Sequence, residues 1–376
     1  MNDSLFQVYC PREVIGVRAV RSLLQICVVA IVWLGCLNCC AQTETPNTET
    51  PKTETPKTET PQTEVDPSKL LQPLPTASTS QQELVSPGIS YGMTIPSEWE
   101  FGLQVDSPAA TANGIKATFP VPRVWPEQEV ELVEEFQTDN VIEFERKKAK
   151  KWTEQFGFSV KKMPPGTSEK AYVRFRVKKK MIQAPKDTTV FVKAKKVPGQ
   201  LKEFLKPSPL IESRNKRIRA IAKELADDSL NAWDQVEKNY TWVRENITYK
   251  FDAVNRSCLE ALDNKHGDCG ELSSLFIAIC RAQGVPARSV WIPGHVYPEF
   301  YLHDQDGKGH WFPCQAAGTY SFGSMAEIRP ILQKGDRFKM PGQKEEVRYV
   351  RPTVEGFGAP VSIQWIRREV TDQTKK

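Results

Sequence analysis

The sequence predicts an α+β chain: helices packed with an antiparallel sheet, preceded by a β-sandwich-like domain and a disordered N-terminal linker. Three observations predict it. Leu272, Leu275, Phe276 and Ile279 recur at helical spacing, and two strand-like runs follow them, Ser289-Val290-Trp291-Ile292 and Val296-Tyr297-Pro298-Glu299-Phe300-Tyr301-Leu302. Short alternating runs separated by Pro, Gly and charged turns fill residues 88–197. Residues 42–64 repeat a Thr-Glu-Thr-Pro unit every five residues and contain nothing that a core can bury.

Taken in order, residues 1–41 read as an export leader. Arg12, Arg18 and Arg21 precede an apolar run over 26–37, and Cys39-Cys40-Ala41 offers small residues for cleavage. Leu34-Gly35-Cys36 also fits a loose lipoprotein site lipidated at Cys36, and a signal anchor is the third alternative. The run is shorter than the roughly 20 residues of a typical spanning helix. Residues 42–87 form a polyproline-like spacer.

The region 88–197 is expected to be an antiparallel sandwich, with strands at Thr118-Phe119 and over 130–133, 141–144, 172–177 and 189–192. Basic clusters at 146–151, 178–180 and 193–196 fit a solvated, edge-protecting strand face; an envelope polymer or lipid is the functional alternative. Net charge is only +5 over 376 residues, which argues against a nucleic-acid partner.

From 198 the pattern turns helical. Ile211, Ile218, Ile221, Ala222 and Leu225 make one apolar face, and Trp233, Val236, Tyr240 and Val243 another. The organising stretch follows, His266-Gly267-Asp268-Cys269-Gly270-Glu271, with Gly284 and Pro286 ending its helix. This places Cys269 on the first turn, where unpaired N–H groups and the helix dipole favour thiolate. His295 then opens a strand, a polar turn runs from 304 to 309, and the strand of 310–315 returns with Gln315. A cysteine on a helix start, a histidine on a strand and a polar group beside it are the parts of a Cys-His nucleophile pair with an orienting third residue. Cys258, Cys280 and Cys314 read as core thiols. No paired CxxC spacing suggests a metal, and no cofactor is expected.

Gly267-Asp268-Cys269, the helix running to Gly284-Val285-Pro286-Ala287-Arg288, Gly294-His295, Glu299 and Trp311 resemble the transglutaminase-like superfamily, whose papain-like core transglutaminases share with many bacterial cysteine proteases and amidases. The runs 221–225 and 240–249 resemble the helices that precede the cysteine there, so the likeness covers about 201–320. The resemblance implies Cys269, His295 and the position of Gln315 as catalytic, acting on amide bonds of a protein or peptide substrate. One position departs: that family usually has Asp where this chain has Gln315. A Gln carbonyl can orient an imidazole but cannot stabilise imidazolium by charge.

Strand geometry adds a test. Side chains two apart lie roughly 7 Å apart on one face, so Glu299, four residues from His295, is too far to orient it. Gln315 reaches His295 if the hairpin pairs Glu299 with Trp311, with Pro298 a candidate bulge. The expected domains are 198–320 for the core and 321–376 for a C-terminal β extension with strands over 347–351 and 361–366. Two readings remain: an exported cysteine acyl enzyme, membrane-associated through its N-terminus or not, and a non-catalytic module binding a peptide or cell-wall polymer.

Overall fold

The computed structural model describes residues 5–9 by their backbone and residues 88–371, apart from 108–109, 151, 253, 255 and 341–342. The linker and all of the leader except 5–9 lie outside the described residues. Among the described residues no helix is long and apolar enough to cross a membrane.

In chain order the first strands are β1 (Leu5–Tyr9), β2 (Ser90–Ser107), β3 (Ala112–Val121), β4 (Gln128–Gln137), β5 (Val141–Lys150), β6 (Thr153–Met163) and β7 (Thr167–Gln183). The helical part holds α1 (Lys216–Leu225), α2 (Ala232–Asn246), β8 (Thr248–Tyr249), α3 (Cys258–Asn264), β9 (His266–Gly267) and α4 (Cys269–Ala282). Then come β10 (Ala287–Ile292), β11 (His295–His303), β12 (Gly309–Pro313), β13 (Gln333–Lys334), β14 (Phe338–Lys339), β15 (Glu346–Val347), β16 (Thr353–Gly358) and β17 (Ser362–Glu369).

Period-two burial builds the sandwich. Phe101, Leu103 and Val105 of β2 and Val173, Phe175 and Val177 of β7 point inward. They meet Ile115, Ala117 and Phe119 of β3 and Phe156, Phe158 and Val160 of β6. One sheet runs β17-β2-β7-β4; the facing strands are β16, β3, β6 and β5. The outer face of β7 is basic, yet cross-strand carboxylates meet its cations. Arg174 pairs with Glu100 at 2.8 Å, Arg176 with Glu98 at 3.0 Å, and Lys180 with Glu129 at 3.3 Å.

Two differences from the sequence expectation have physical causes. The run over 189–192 makes only an isolated bridge, Val192 with His303. Phe191 leaves that bridge to pack on Phe312, ring centroids 4.8 Å apart, and on Trp233 at 5.8 Å. The run over 347–351 stops being a strand after β15, where Tyr349 packs at a tilt on Trp291, 4.8 Å between centroids. The C-terminal strand β17 does not extend the core sheet; it pairs along β2 and closes the sandwich. β16 joins β3, and β1 pairs antiparallel with β16.

The strand path through β3 and β6 continues into β13, β10, β11 and β12. The link is the pairing of Gln333 with Thr153. The helices cover the β11–β12 face, burying Phe300, Leu302 and Phe312 against Tyr240, Leu275, Phe276 and Ile279.

Beside that link lies a buried charge cluster. Lys334 Nζ donates to Glu127 and Glu299, each at 2.6 Å, and Arg288 pairs with Glu299 at 2.7 Å. Two cations therefore balance two carboxylates, and the Lys334 and Lys179 charges hold Glu127 down to about 2 against its burial. Lys179 is also fully buried but its ammonium has no hydrogen-bond acceptor, and burial pushes it down to about 8. A buried ammonium without a hydrogen bond costs more in desolvation than its attraction to Glu127 returns, whereas removing one member of a hydrogen-bonded buried pair strands its partner. Lys334→Met should therefore destabilise by about 3–5 kcal/mol in urea unfolding, while Lys179→Met should be neutral or stabilising. Because the folded lysine binds its proton less tightly than the unfolded one, wild-type stability should rise from pH 8 towards the unfolded value of 10.5. That rise should vanish in Lys179→Met; equal slopes in the two proteins would refute the assignment.

Candidate active site

The site is built on the start of α4. Asp268 is the N-cap: its carboxylate accepts from Gly270 N at 2.6 Å, and Glu271 reaches back to Asp268 N at 2.9 Å. Together they form a capping box. Gly267 is required here, since a Cβ at that position would lie 2.7 Å from Glu271 Cβ. Burial, then the facing Asp268, pushes the Glu271 carboxyl up to about 7. Its other oxygen accepts from Arg256 N at 2.8 Å. At the far end Gly284 adopts φ +82°, Val285 N bonds Cys280 O at 2.9 Å and Gly284 N bonds Arg281 O at 3.1 Å. That is a Schellman stop.

Helix α4 is buried along almost its whole length, yet Cys269 at its first position is half-exposed. The other three cysteines among the described residues are free and buried. Burial pushes the Cys280 thiol up to about 12 and raises the Cys258 and Cys314 thiols well above the ordinary cysteine range. At neutral pH, thiolate chemistry among the described residues is left to Cys269.

His295 opens β11 after a two-residue connection from β10, with Ile292 opposite His295 and Gly294 at φ +73°. Pro-Gly is the sequence of a type II turn. Ser273, one turn beyond Cys269, donates to Val296 O at 3.3 Å, so the first turns of α4 lie against the start of β11. His295 Nε2 lies 2.9 Å from Gln315 Oε1. The Gln315 amide nitrogen donates to Met325 sulfur at 3.6 Å, which turns its oxygen to the ring. Nε2 then carries the proton and Nδ1 the lone pair. Burial pulls the imidazole below its ordinary value, opposed by the Gln315 hydrogen bond.

The expected hairpin register is wrong by two residues. Glu299 pairs with Pro313, and Trp311 faces Tyr301, with no bulge at Pro298. Gln315 lies past the end of β12, where its backbone N–H turns to Ser321 O at 2.8 Å. It meets His295 from this loop rather than from a paired strand, and Arg244 fixes the loop by donating to Gln315 O at 2.8 Å. Glu299 and Trp311 both serve Arg288: Glu299 pairs with it, and its guanidinium sits 3.9 Å above the Trp311 ring.

Sequence reasoning missed Glu327 and Arg329, which share a loop over His295. Arg329 donates to Pro293 O at 3.0 Å and to Glu327 at 2.6 Å. Their charges act on the imidazole in opposite senses, Arg329 lowering and Glu327 raising its affinity for a proton. It also missed Arg348, which donates to Gly270 O at 3.2 Å and to Ser274 Oγ at 2.8 Å beneath the first turn of α4. No spacing signal joins these distant loop positions to the helix.

Residues 219–316 match the profile of the Transglutaminase-like superfamily. A candidate cysteine protease from Cytophaga hutchinsonii is similar in structure at TM-score 0.52, with 16% identity over 75% of this chain and 93% of that one. A candidate protease from Parabacteroides distasonis aligns at TM-score 0.24, with 13% identity over 62% of this chain and 48% of that one. The periplasmic domain of TgpA from Pseudomonas aeruginosa, bound to ethylmercury, aligns at TM-score 0.29, with 14% identity over 58% and 90%. No curated protein sequence matches. The chain carries a transglutaminase-like core over residues 219–316.

NMR titration of His295 should give a midpoint below the ordinary 6.5. Gln315→Leu removes the bond that favours imidazolium and should lower the midpoint further; Gln315→Asp should raise it. A midpoint unmoved by both changes would remove Gln315 from the site.

Proposed function

We propose that the protein is an exported cysteine acyl enzyme that attacks amide carbonyls of a peptide or protein through Cys269. The observation that supports this best is the 2.9 Å hydrogen bond from His295 to Gln315 at the start of β11, the strand end that the first turns of α4 meet through Ser273 and Val296 O. His295 Nδ1 takes the thiol proton and the sulfur adds to the carbonyl carbon. As the C–N bond breaks, the imidazolium returns its proton to the leaving nitrogen, and a thioester remains. Water or an amine then adds, His295 takes its proton, the Cys269 sulfur leaves as the C–S bond breaks, and the imidazolium returns that proton to it.

Gln315 holds the ring in the productive tautomer but brings no charge, so the thiolate–imidazolium pair is favoured less than an Asp would favour it. The backbone N–H of Cys269, on the positive end of α4, is the proposed oxyanion donor, a contribution of about 3 kcal/mol in such sites. The leader of residues 1–41 supports export. Cleavage at Ala41 would remove β1 and leave the β16 edge open, so the intact mass of the mature protein tests the leader directly.

Alkylation by iodoacetamide separates an enzyme from a binding module. Cys269 should react fast and with pH dependence, and His295→Ala should slow it by about 10²–10⁴-fold. Hydrolysis and amine incorporation on glutamine-containing peptides should both vanish in Cys269→Ala and fall less in Gln315→Ala. An ordinary thiol rate, equal in wild type and His295→Ala, would leave only the binding module.

A further inference from the structure

The segment 325–329 touches both supports of His295. Gln315 Nε2 donates to Met325 sulfur at 3.6 Å, and the oxygen of the same amide lies 2.9 Å from the imidazole. Arg329 Nη1 donates to Pro293 O at 3.0 Å, two residues before the histidine. The segment is itself held at both ends. Met325 exchanges two backbone hydrogen bonds with Ile182 of β7, at 2.8 and 2.9 Å, and so hangs from the sandwich. The Arg329 guanidinium forks onto the Glu327 carboxylate, Nε at 2.9 Å and Nη2 at 2.6 Å, and Arg329 N adds a bond to Glu327 Oε1 at 3.0 Å. One guanidinium therefore ties a carboxylate to the turn from which β11 starts.

The pair is ionised at neutral pH. Burial pushes the Glu327 carboxyl up, but its bonds to Arg329 outweigh that and hold it below the ordinary carboxylate range. The other elements that meet the start of β11 bring little charge. Ile292 of β10 is apolar, Gln315 is neutral, and Cys269 is the titratable residue at the near end of α4. Further out, Lys179 of β7 and Tyr297 of β11 also feel the Glu327 charge.

We infer that Glu327 and Arg329 are a positioning pair for His295, Arg329 fixing the Pro293-Gly294 turn and the two side chains placing on the ring the opposed charges that Gln315 does not supply. This rests on His295 acting as the base for Cys269, as proposed above. Neither residue needs to touch substrate; both act through the imidazole.

The test is NMR titration of His295 in the full chain, with iodoacetamide labelling of Cys269 alongside. Arg329→Gln removes the cation and should raise the midpoint; Glu327→Gln keeps a carbonyl for the guanidinium, removes the anion and should lower it. A loop that merely loosened would admit water and raise the midpoint in both variants, because burial is what depresses it. Arg329→Lys keeps the charge but loses the fork. Its midpoint should stay with the wild type while alkylation slows by about tenfold or more. Midpoints that move together or not at all, or a wild-type alkylation rate in Arg329→Lys, with fast, His295-dependent alkylation of the wild type, overturn the positioning pair alone. A slow wild-type alkylation that is indifferent to His295→Ala overturns the enzyme reading and the pair with it.

Discussion

The rest of the structure depends on the capped beginning of α4. A helix buried along nearly all its length must still satisfy its first N–H groups, and Asp268 and Glu271 do so reciprocally. That solution fixes where Cys269 emerges and keeps the residue only partly buried while the following residues enter the core. Glu271 carries the constraint outward, because its second oxygen holds Arg256 and with it the loop beside the sulfur. Arg348 and Ser274 brace the same turn from below through Gly270 O.

The second constraint is the sheet that passes from the sandwich into the helical part. Through β6 and β13 the two share a strand path, and a buried group of two carboxylates and two cations lies beside the crossing. Glu127 precedes a sandwich strand, whereas Glu299 shares a face of β11 with His295. The N-terminal domain is in this sense part of the wall that holds His295 in place. Its return by β16 and β17 from the far end of the chain explains why 88–197 does not close on its own.

Much of the site was legible because its signals are local. Gly284 and Pro286 mark the end of α4, the Gly-Asp before Cys269 marks its start, and Pro293-Gly294 marks the hairpin that begins with His295. The nearness of Gln315 to His295 was also readable, though for a partly wrong reason. The strand register is shifted by two, and Gln315 reaches the ring from the loop after β12. Local pattern does not set register; the packing of Phe300 and Phe312 on Trp233 and Phe191 does. Glu327, Arg329 and Arg348 were invisible because they act through tertiary placement of irregular segments.

The depth of Cys258, Cys280 and Cys314 has a consequence for oxidative chemistry. A peroxide that finds Cys269 forms a sulfenic acid with no second accessible thiol among the described residues to capture it as a disulfide. Recovery then falls to small-molecule or protein reductants from outside, and without them the sulfur proceeds to sulfinic acid and is lost. Among the described residues, the fold buries the other three sulfurs and leaves Cys269 the one thiol that is not.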